Sequence, residues 1–204
     1  MRSTARITAI LGTYRQGGII DRAVEEILSA AREQGAVVSR ILLTEKDIAY
    51  CTNCRACTQA PGKARGTCVL SDDLAAILDE IEASDAIILA SPMNFGTVTA
   101  VMKTFIERLV GYAYWPWGAA GPKIRNKGGK KPAVLVASSA APAFLARRTT
   151  DMISLMGKAA NLLGARTEGV LFIGLGAWKQ HQELGWMTRR KARRLGRRLA
   201  SRAS

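Results

Sequence analysis

The stretch Asp85-Ala-Ile-Ile-Leu-Ala-Ser91, running directly into Pro92-Met93-Asn94-Phe95-Gly96-Thr97, decides how this chain folds. Its apolar residues are continuous rather than alternating. A strand of that kind has both faces covered, as in a parallel sheet held between layers of helix. Working outward, Arg6–Leu11 reads as a strand, 19–34 as a helix, and 37–43 as a β-branched strand. Ala23, Ile27, Leu28 and Ala31 share one face of that first helix. A second helix is expected over 71–84, with Ser71 as N-cap and acids in its first turn. Beyond the central strand the pattern continues as helix 98–110, strand 132–138, helix 145–163, strand 166–173 and helix 188–201. Five strands alternate with five helices. The expected architecture is α/β, a doubly wound five-stranded parallel sheet in the order 2-1-3-4-5 with helices on both faces. No composition shift or linker divides the chain, so one domain is expected over 1–204.

In such a fold ligands bind beyond the carboxyl ends of the strands, near the point where the strand order reverses. The loop after the first strand is Gly12-Thr13-Tyr14-Arg15-Gln16-Gly17-Gly18. Glycines let several backbone N–H groups aim at one point, and the following helix N-terminus adds partial positive charge. Thr13 and Arg15 can donate further bonds to an anion. The loop is neither a P-loop nor a GxGxxG dinucleotide fingerprint.

With the third-strand loop added, the pattern resembles the NADPH-dependent FMN reductases of the flavodoxin-like superfamily. The resemblance rests on Ser91-Pro92-Met93-Asn94-Phe95-Gly96-Thr97-Val98 and on Met102-Lys103-Thr104-Phe105-Ile106-Glu107-Arg108. Cys51, Cys54, Cys57, Gly66-Thr67-Cys68 and Asp72-Asp73 also resemble the iron–sulfur flavoprotein branch. This likeness implies that Thr13, Arg15, Gly17 and Gly18 hold the FMN phosphate, and that Pro92, Met93, Asn94, Phe95 and Gly96 lie against the isoalloxazine ring. Ser138, Ser139 and Ala140 would form the third flavin-facing loop. The family often has tyrosine where Asn94 stands and glycines where 139–141 stand. Lys103, Glu107 and Arg108 are expected to serve the helix as salt-bridging residues rather than catalysis. The implied activity is transfer of hydride from NADPH or NADH to FMN and of electrons onward to a second acceptor. That acceptor could be a quinone, free flavin, a nitro compound or a metal ion. The alternative is a non-enzymatic carrier of the iron–sulfur flavoprotein type exchanging electrons with ferredoxin. A basic binding module that keeps the fold without the cofactor is a third.

All four cysteines lie between 51 and 68, a clustering that suggests metal or redox chemistry rather than a disulfide framework. Cys51, Cys54, Cys57 and Cys68 could hold a [4Fe–4S] cluster, remain redox-active thiols, or bind zinc. Ten residues separate Cys57 from Cys68, longer than is usual in the resembling branch.

The chain has 30 basic and 16 acidic residues, a formal charge of +14. Eight bases fall between 189 and 202 with no acid among them, which leaves a surplus of only six elsewhere. Such a patch favours anionic partners; the simpler reading is a solvated last helix docking Ala192, Leu195 and Leu199 on the core. Tyr112-Ala-Tyr-Trp-Pro-Trp117 is unusually aromatic, and the bases of 123–131 follow. It is expected to form a subunit interface roofing a neighbour's flavin, in a homodimer or homotetramer, with nucleic acid an unfavoured partner. His181, the single histidine, cannot build a multi-histidine metal site. No apolar run reaches the length of a membrane span or of a signal-peptide core, so a cytoplasmic protein is expected.

Overall fold

The computed structural model describes residues 4–125, 131–179 and 182–203. Its elements, in chain order, are β1 (Arg6–Leu11), α1 (Ile19–Arg32), β2 (Val37–Leu42), α2 (Leu74–Glu82), β3 (Ala86–Pro92) and α3 (Ala100–Arg108). Then come β4 (Ala113–Tyr114), β5 (Lys123–Ile124), β6 (Lys131–Ser138), α4 (Ala143–Thr149), α5 (Met152–Leu162), β7 (Ala165–Ile173) and α6 (Trp186–Ala203). The main sheet is parallel throughout and ordered β2-β1-β3-β6-β7, the doubly wound order expected from the sequence. The antiparallel β4–β5 pair is a small addition outside it.

The central strand explains the unbroken apolar run. Ile87 and Leu89 point into a core layer shared with Phe105 of α3 and Met156 of α5. Ile88 and Ala90 point the other way, toward Val24 and Ile27 of α1 and Leu195 of α6. With both faces buried, alternation has nothing to report. Among the described residues no helix is long and apolar enough to cross a membrane.

Several boundaries differ from the sequence expectation, each for a local reason. Ser71 is not the cap of α2: the helix opens at Leu74, whose N–H is taken by Asp72 Oδ1 at 3.1 Å. The 98–110 helix is shortened to Ala100–Arg108, because Thr99 caps it and the chain tightens into a 3-10 turn over Leu109–Tyr112. The 145–163 helix is two helices, α4 and α5. Thr150 interrupts them by accepting the Met152 N–H at 3.1 Å and donating its hydroxyl to the Gly96 carbonyl. The last helix extends beyond 188–201 at both ends. His181, Lys127 and Lys130 lie outside the described residues.

Candidate cofactor site

The loops leaving β1, β3, β6 and β7 lie side by side at the carboxyl ends of the strands and enclose a cavity of about 370 Å³. That volume falls in the range of cofactor pockets, roughly 300–1,000 Å³.

The first loop is fixed by a close approach. A Cβ at Gly12 would stand 2.6 Å from Met102 Cβ and 3.0 Å from Thr99 Oγ1, so α3 sits against bare backbone here. Thr99 uses the contact: its hydroxyl donates to the Gly12 carbonyl at 2.6 Å while its own N–H donates to Ser91 Oγ at 3.1 Å. One threonine thereby ties the first loop to the end of β3. Thr13 is buried, and its Oγ1 accepts the Arg15 N–H at 3.3 Å. α1 starts after Gly18 with no side-chain cap, so its first-turn N–H groups keep their capacity for an anion.

The second loop turns sharply. Asn94 and Thr97 exchange backbone hydrogen bonds of 2.9 and 3.0 Å, which leaves Phe95 (φ +48°) and Gly96 (φ +80°) both left-handed at the tip. Phe95 is fully exposed. The loop is anchored to its neighbour by Met93 N–H donating to the Ser138 carbonyl at 2.7 Å. In the third loop Ser139 donates its N–H to Ile173 at 2.9 Å and its hydroxyl to the Ala141 carbonyl at 2.7 Å. That serine is a brace. The loop after β7 closes the cavity, with Gly176 N–H donating to the Ser139 carbonyl at 2.8 Å. A Cβ at Gly176 would come within 3.1 Å of both Ile19 Cγ2 and Ser138 Cβ, so the cavity is open there because the residue is glycine.

Of the residues singled out in the sequence, Thr13, Arg15 and Gly18 line the cavity together with Pro92, Met93 and Asn94. Ser138, Ser139 and Ala140 complete that set. Gly17, Phe95 and Gly96 are not among the lining residues; they form the turns that shape it. Tyr14, Ile19, Ile20, Gly176 and Ala177 also line it and were not foreseen. Tyr14 and the two isoleucines lie inside the loop–helix junction already singled out; nothing local marks Gly176 and Ala177.

A second cavity, of about 320 Å³, lies under the cysteine segment and includes Cys57, Cys68, Asp72, Arg108 and Tyr112 in its wall. Three arginines organise this region. Arg108 and Asp72 form a buried ion pair at 2.6 Å, their side chains 2% and 4% exposed. Arg108 also donates to the Ala49 carbonyl at 2.6 Å and to Cys68 Sγ at 3.5 Å. Burial works to raise the Asp72 pKa, but the Arg108 hydrogen bond and charge and the N–H groups of Ala49 and Leu74 prevail and hold it low. Arg125 donates to the carbonyls of Cys57, Gly62 and Gly111 at 3.0–3.2 Å. Arg55, left-handed at φ +59°, stacks between Trp115 and Trp117 with its guanidinium carbon 3.9 and 4.0 Å from the two ring centroids. The aromatic segment at 112–117 therefore packs on its own chain's cysteine loop. Lys103 pairs with Glu107 at 2.7 Å as expected, whereas Arg108 reaches across to Asp72 instead.

Of the alternatives left open for the four cysteines, a metal centre is not assembled among the described residues. Cys57 is buried, Cys51 and Cys68 are half-buried and Cys54 is exposed, all as free thiols. Among the described residues no three cysteines, histidines or carboxylates converge closely enough to hold a metal ion. Arg125 holds the Cys57 carbonyl and Arg108 donates to the Cys68 sulfur. The thiols also differ chemically. Cys54 is held below the usual thiol range by the Ala56 N–H and then the Thr52 side chain. Cys57 is pushed up by burial and then by its three neighbouring thiols.

A parallel β2-β1-β3-β6-β7 sheet with its cavity at the carboxyl ends defines a flavodoxin-like α/β protein. Residues 5–166 match the NADPH-dependent FMN reductase family, and the chain belongs to that family. It is similar to an iron-sulfur flavoprotein of Archaeoglobus fulgidus, 37% identical over 111 residues, which are 54% of this chain and 48% of that protein. An iron-sulfur flavoprotein of Methanosarcina thermophila is 30% identical over 105 residues, 52% of each chain. The match thus spans about half the length of these curated relatives. Among solved structures, an azoreductase from Bacillus anthracis has a TM-score of 0.70 at 14% identity, covering 96% of this chain and 100% of that one. An NAD(P)H:quinone oxidoreductase from Methanothermobacter marburgensis has a TM-score of 0.66 at 17% identity, covering 97% and 98%. These two likenesses show the shared fold.

Proposed function

We propose that this chain binds FMN in the four-loop cavity and acts as an NAD(P)H-dependent oxidoreductase, passing electrons to a small second acceptor such as a quinone, a flavin, a nitro compound or a metal ion. The observation that carries the reading is the cavity itself. It joins an uncapped helix start, a buried threonine and an arginine at one end to a polar-edged, glycine-floored slot at the other.

In this reading the phosphate is held by Thr13, Arg15 and the N–H groups around Gly17, Gly18 and the first turn of α1. Pro92, Met93 and Asn94 lie beside the ring, with the Phe95–Gly96 turn shaping that wall. Ser138 and Ser139 present the opposite loop. Met93 N–H and Asn94 N–H are already committed within the protein. The Asn94 carboxamide has no hydrogen-bond partner among the described residues and is available to donate to the ring edge. Bound FMN supplies the hydride and electron chemistry, so the chain need contribute no general acid or base. The protein's part is to bind, orient and exclude water.

The chain acts as one domain over 1–204 and assembles as a homodimer or homotetramer; the exposed Trp117 and Tyr14 support that assembly. Four free thiols support a reducing, cytoplasmic setting. A second reading is the ferredoxin-linked carrier, favoured by the name iron-sulfur flavoprotein borne by the relatives above. Anaerobic titration of the protein with FMN and then NADPH separates the two. Bleaching of bound flavin supports the reductase. Flavin that stays oxidised with either nicotinamide but reduces with ferredoxin supports the carrier.

A further inference from the structure

Six of the twelve large apolar side chains exposed among the described residues lie between 144 and 187: Phe144, Leu145, Leu175, Trp178, Trp186 and Met187. They come from α4, from the loop after β7, and from the start of α6. The first two elements are fastened together. Leu175 N–H donates to the Ala141 carbonyl at 3.1 Å, and Gly174 is so close to the α4 N-terminus that a Cβ there would stand 2.2 Å from the Ala143 nitrogen. α6 starts at the same end of the sheet, where Glu183, just ahead of it, pairs with Arg22 in the first turn of α1.

The charge on this face is unbalanced. Several arginines of α6 are paired: Arg189 with Glu26 and Glu183, Arg193 with Glu33 and Glu26, and Arg198 and Arg202 with the single carboxylate of Glu168. Arg147, Arg148, Arg190 and Arg194 have no carboxylate partner among the described residues. Lys191 stands half-buried beside Arg147 and Arg194, and its ammonium is held below the usual range by burial and then by those two guanidinium groups. A group of cations with no acid is a surface that lacks a counter-ion.

We propose that this face docks the protein on a bilayer containing anionic phospholipid, with Trp178, Trp186 and Phe144 settling among the headgroups and Arg147, Lys191 and Arg194 meeting the phosphates. Aromatic rings next to guanidinium groups suit the interfacial zone, where one end of a side chain is apolar and the other wet. Anionic lipid supplies the missing charge over a distance set by salt. A second copy of the chain fits less well, because an isologous contact would press two cation-rich patches together. Nucleic acid would answer the charge but leave Leu145, Leu175 and Met187 without a partner. Docking here would also bring the cavity rim to the lipid, since Gly176 and Ala177 line the cavity between Leu175 and Trp178. The proposal does not depend on the flavin reading.

The experiment is co-sedimentation of the full chain, with tryptophan emission, on vesicles of phosphatidylcholine alone and of equal parts phosphatidylcholine and phosphatidylglycerol. The expected result is binding to the anionic vesicles with a blue shift, reversed as salt rises toward about 1 M, where the Debye length is near 3 Å. A triple variant, Arg147→Gln with Arg190→Gln and Arg194→Gln, should bind about 100-fold more weakly, about fivefold for each cation removed. Trp178→Ser with Trp186→Ser should keep part of the attraction and lose the blue shift. All five positions are exposed, and an unchanged thermal unfolding midpoint checks that folding is intact. Binding that ignores lipid charge, or no binding, overturns the proposal. So does tight binding to a single-stranded oligonucleotide untouched by the double tryptophan change, with none to vesicles, which would identify a nucleic-acid surface. Self-association lost in the tryptophan variant, again without vesicle binding, would assign the face to a second copy and equally overturn it.

Discussion

Replacing Arg108 by methionine removes a guanidinium that is almost wholly buried and makes short contacts with the Ala49 carbonyl and Asp72, and a longer one with Cys68 Sγ. Methionine fills much of the same volume, so the cost falls chiefly on Asp72, left buried without its counter-charge. Breaking a buried ion pair from one side costs about 3–5 kcal/mol. Arg108→Met should therefore lower the urea unfolding free energy by about that amount at neutral pH, and Asp72→Asn should fall in the same range. Changing both, as Arg108→Met with Asp72→Leu, removes the unpaired charge, and the double change should cost about 2–3 kcal/mol less than the sum of the singles. The pH dependence has a definite sign. The Asp72 pKa is lower in the folded than in the unfolded chain, so its contribution is present above the unfolded value near about 3.9 and is lost as pH falls through the lower folded value. Arg108→Met should thus narrow its deficit against the parent protein as the solution is acidified. Single changes costing under about 1 kcal/mol, the range of exposed pairs, would refute the assignment of a buried and structurally decisive pair.

Arg15→Ala should weaken FMN binding roughly ten- to hundredfold, the worth of a charge-assisted hydrogen bond of about 1.5–3 kcal/mol, while riboflavin, which has no phosphate, loses little in the same fluorescence titration. Gly176→Val places methyl groups where a Cβ already meets Ile19 and Ser138 at 3.1 Å, so FMN affinity should fall by about 1–3 kcal/mol while the protein stays folded by circular dichroism. Phe95→Asn relieves a left-handed phenylalanine that buries nothing, and should raise the urea midpoint by the equivalent of about 0.5–1 kcal/mol; a lower midpoint would show that the ring has a partner. In iodoacetamide labelling followed by peptide mass mapping, Cys54 should react first and at lower pH than Cys57, which burial and neighbouring thiols hold protonated.

The sheet was legible in the sequence because its strands are buried on both faces, and apolar runs such as 86–90 are what that burial demands. The cavity was legible in three of its four walls for a related reason. Glycine and proline mark turns through their own backbone preferences, so the Gly17–Gly18 and Pro92–Gly96 loops announce themselves locally. The fourth wall, Gly176 and Ala177, depends on how the chain returns from β7 onto Ser139, and no nearby residue records that. Long-range charge pairing was equally hidden. Glu107 and Arg108 read as one helix's salt bridges, yet only Glu107 pairs within the helix, while Arg108 meets Asp72, 36 residues earlier. Asp72, paired with Arg108, also accepts the Leu74 N–H, so it rather than Ser71 serves the start of α2. The break between α4 and α5 turns on the Thr150 hydroxyl reaching Gly96, again a partner far along the chain. Four cysteines close in sequence left a metal centre or free thiols open; among the described residues they stand as free thiols, two of them contacted by arginines from elsewhere in the chain.

The flavin reading is tested most directly by an absorption spectrum of the protein purified without oxygen, recorded before and after adding FMN and then NADPH. The expected result is a bound-flavin spectrum that bleaches promptly with the nicotinamide and returns when a quinone is added. Failure to retain flavin even after reconstitution, with the protein folded, would contradict it.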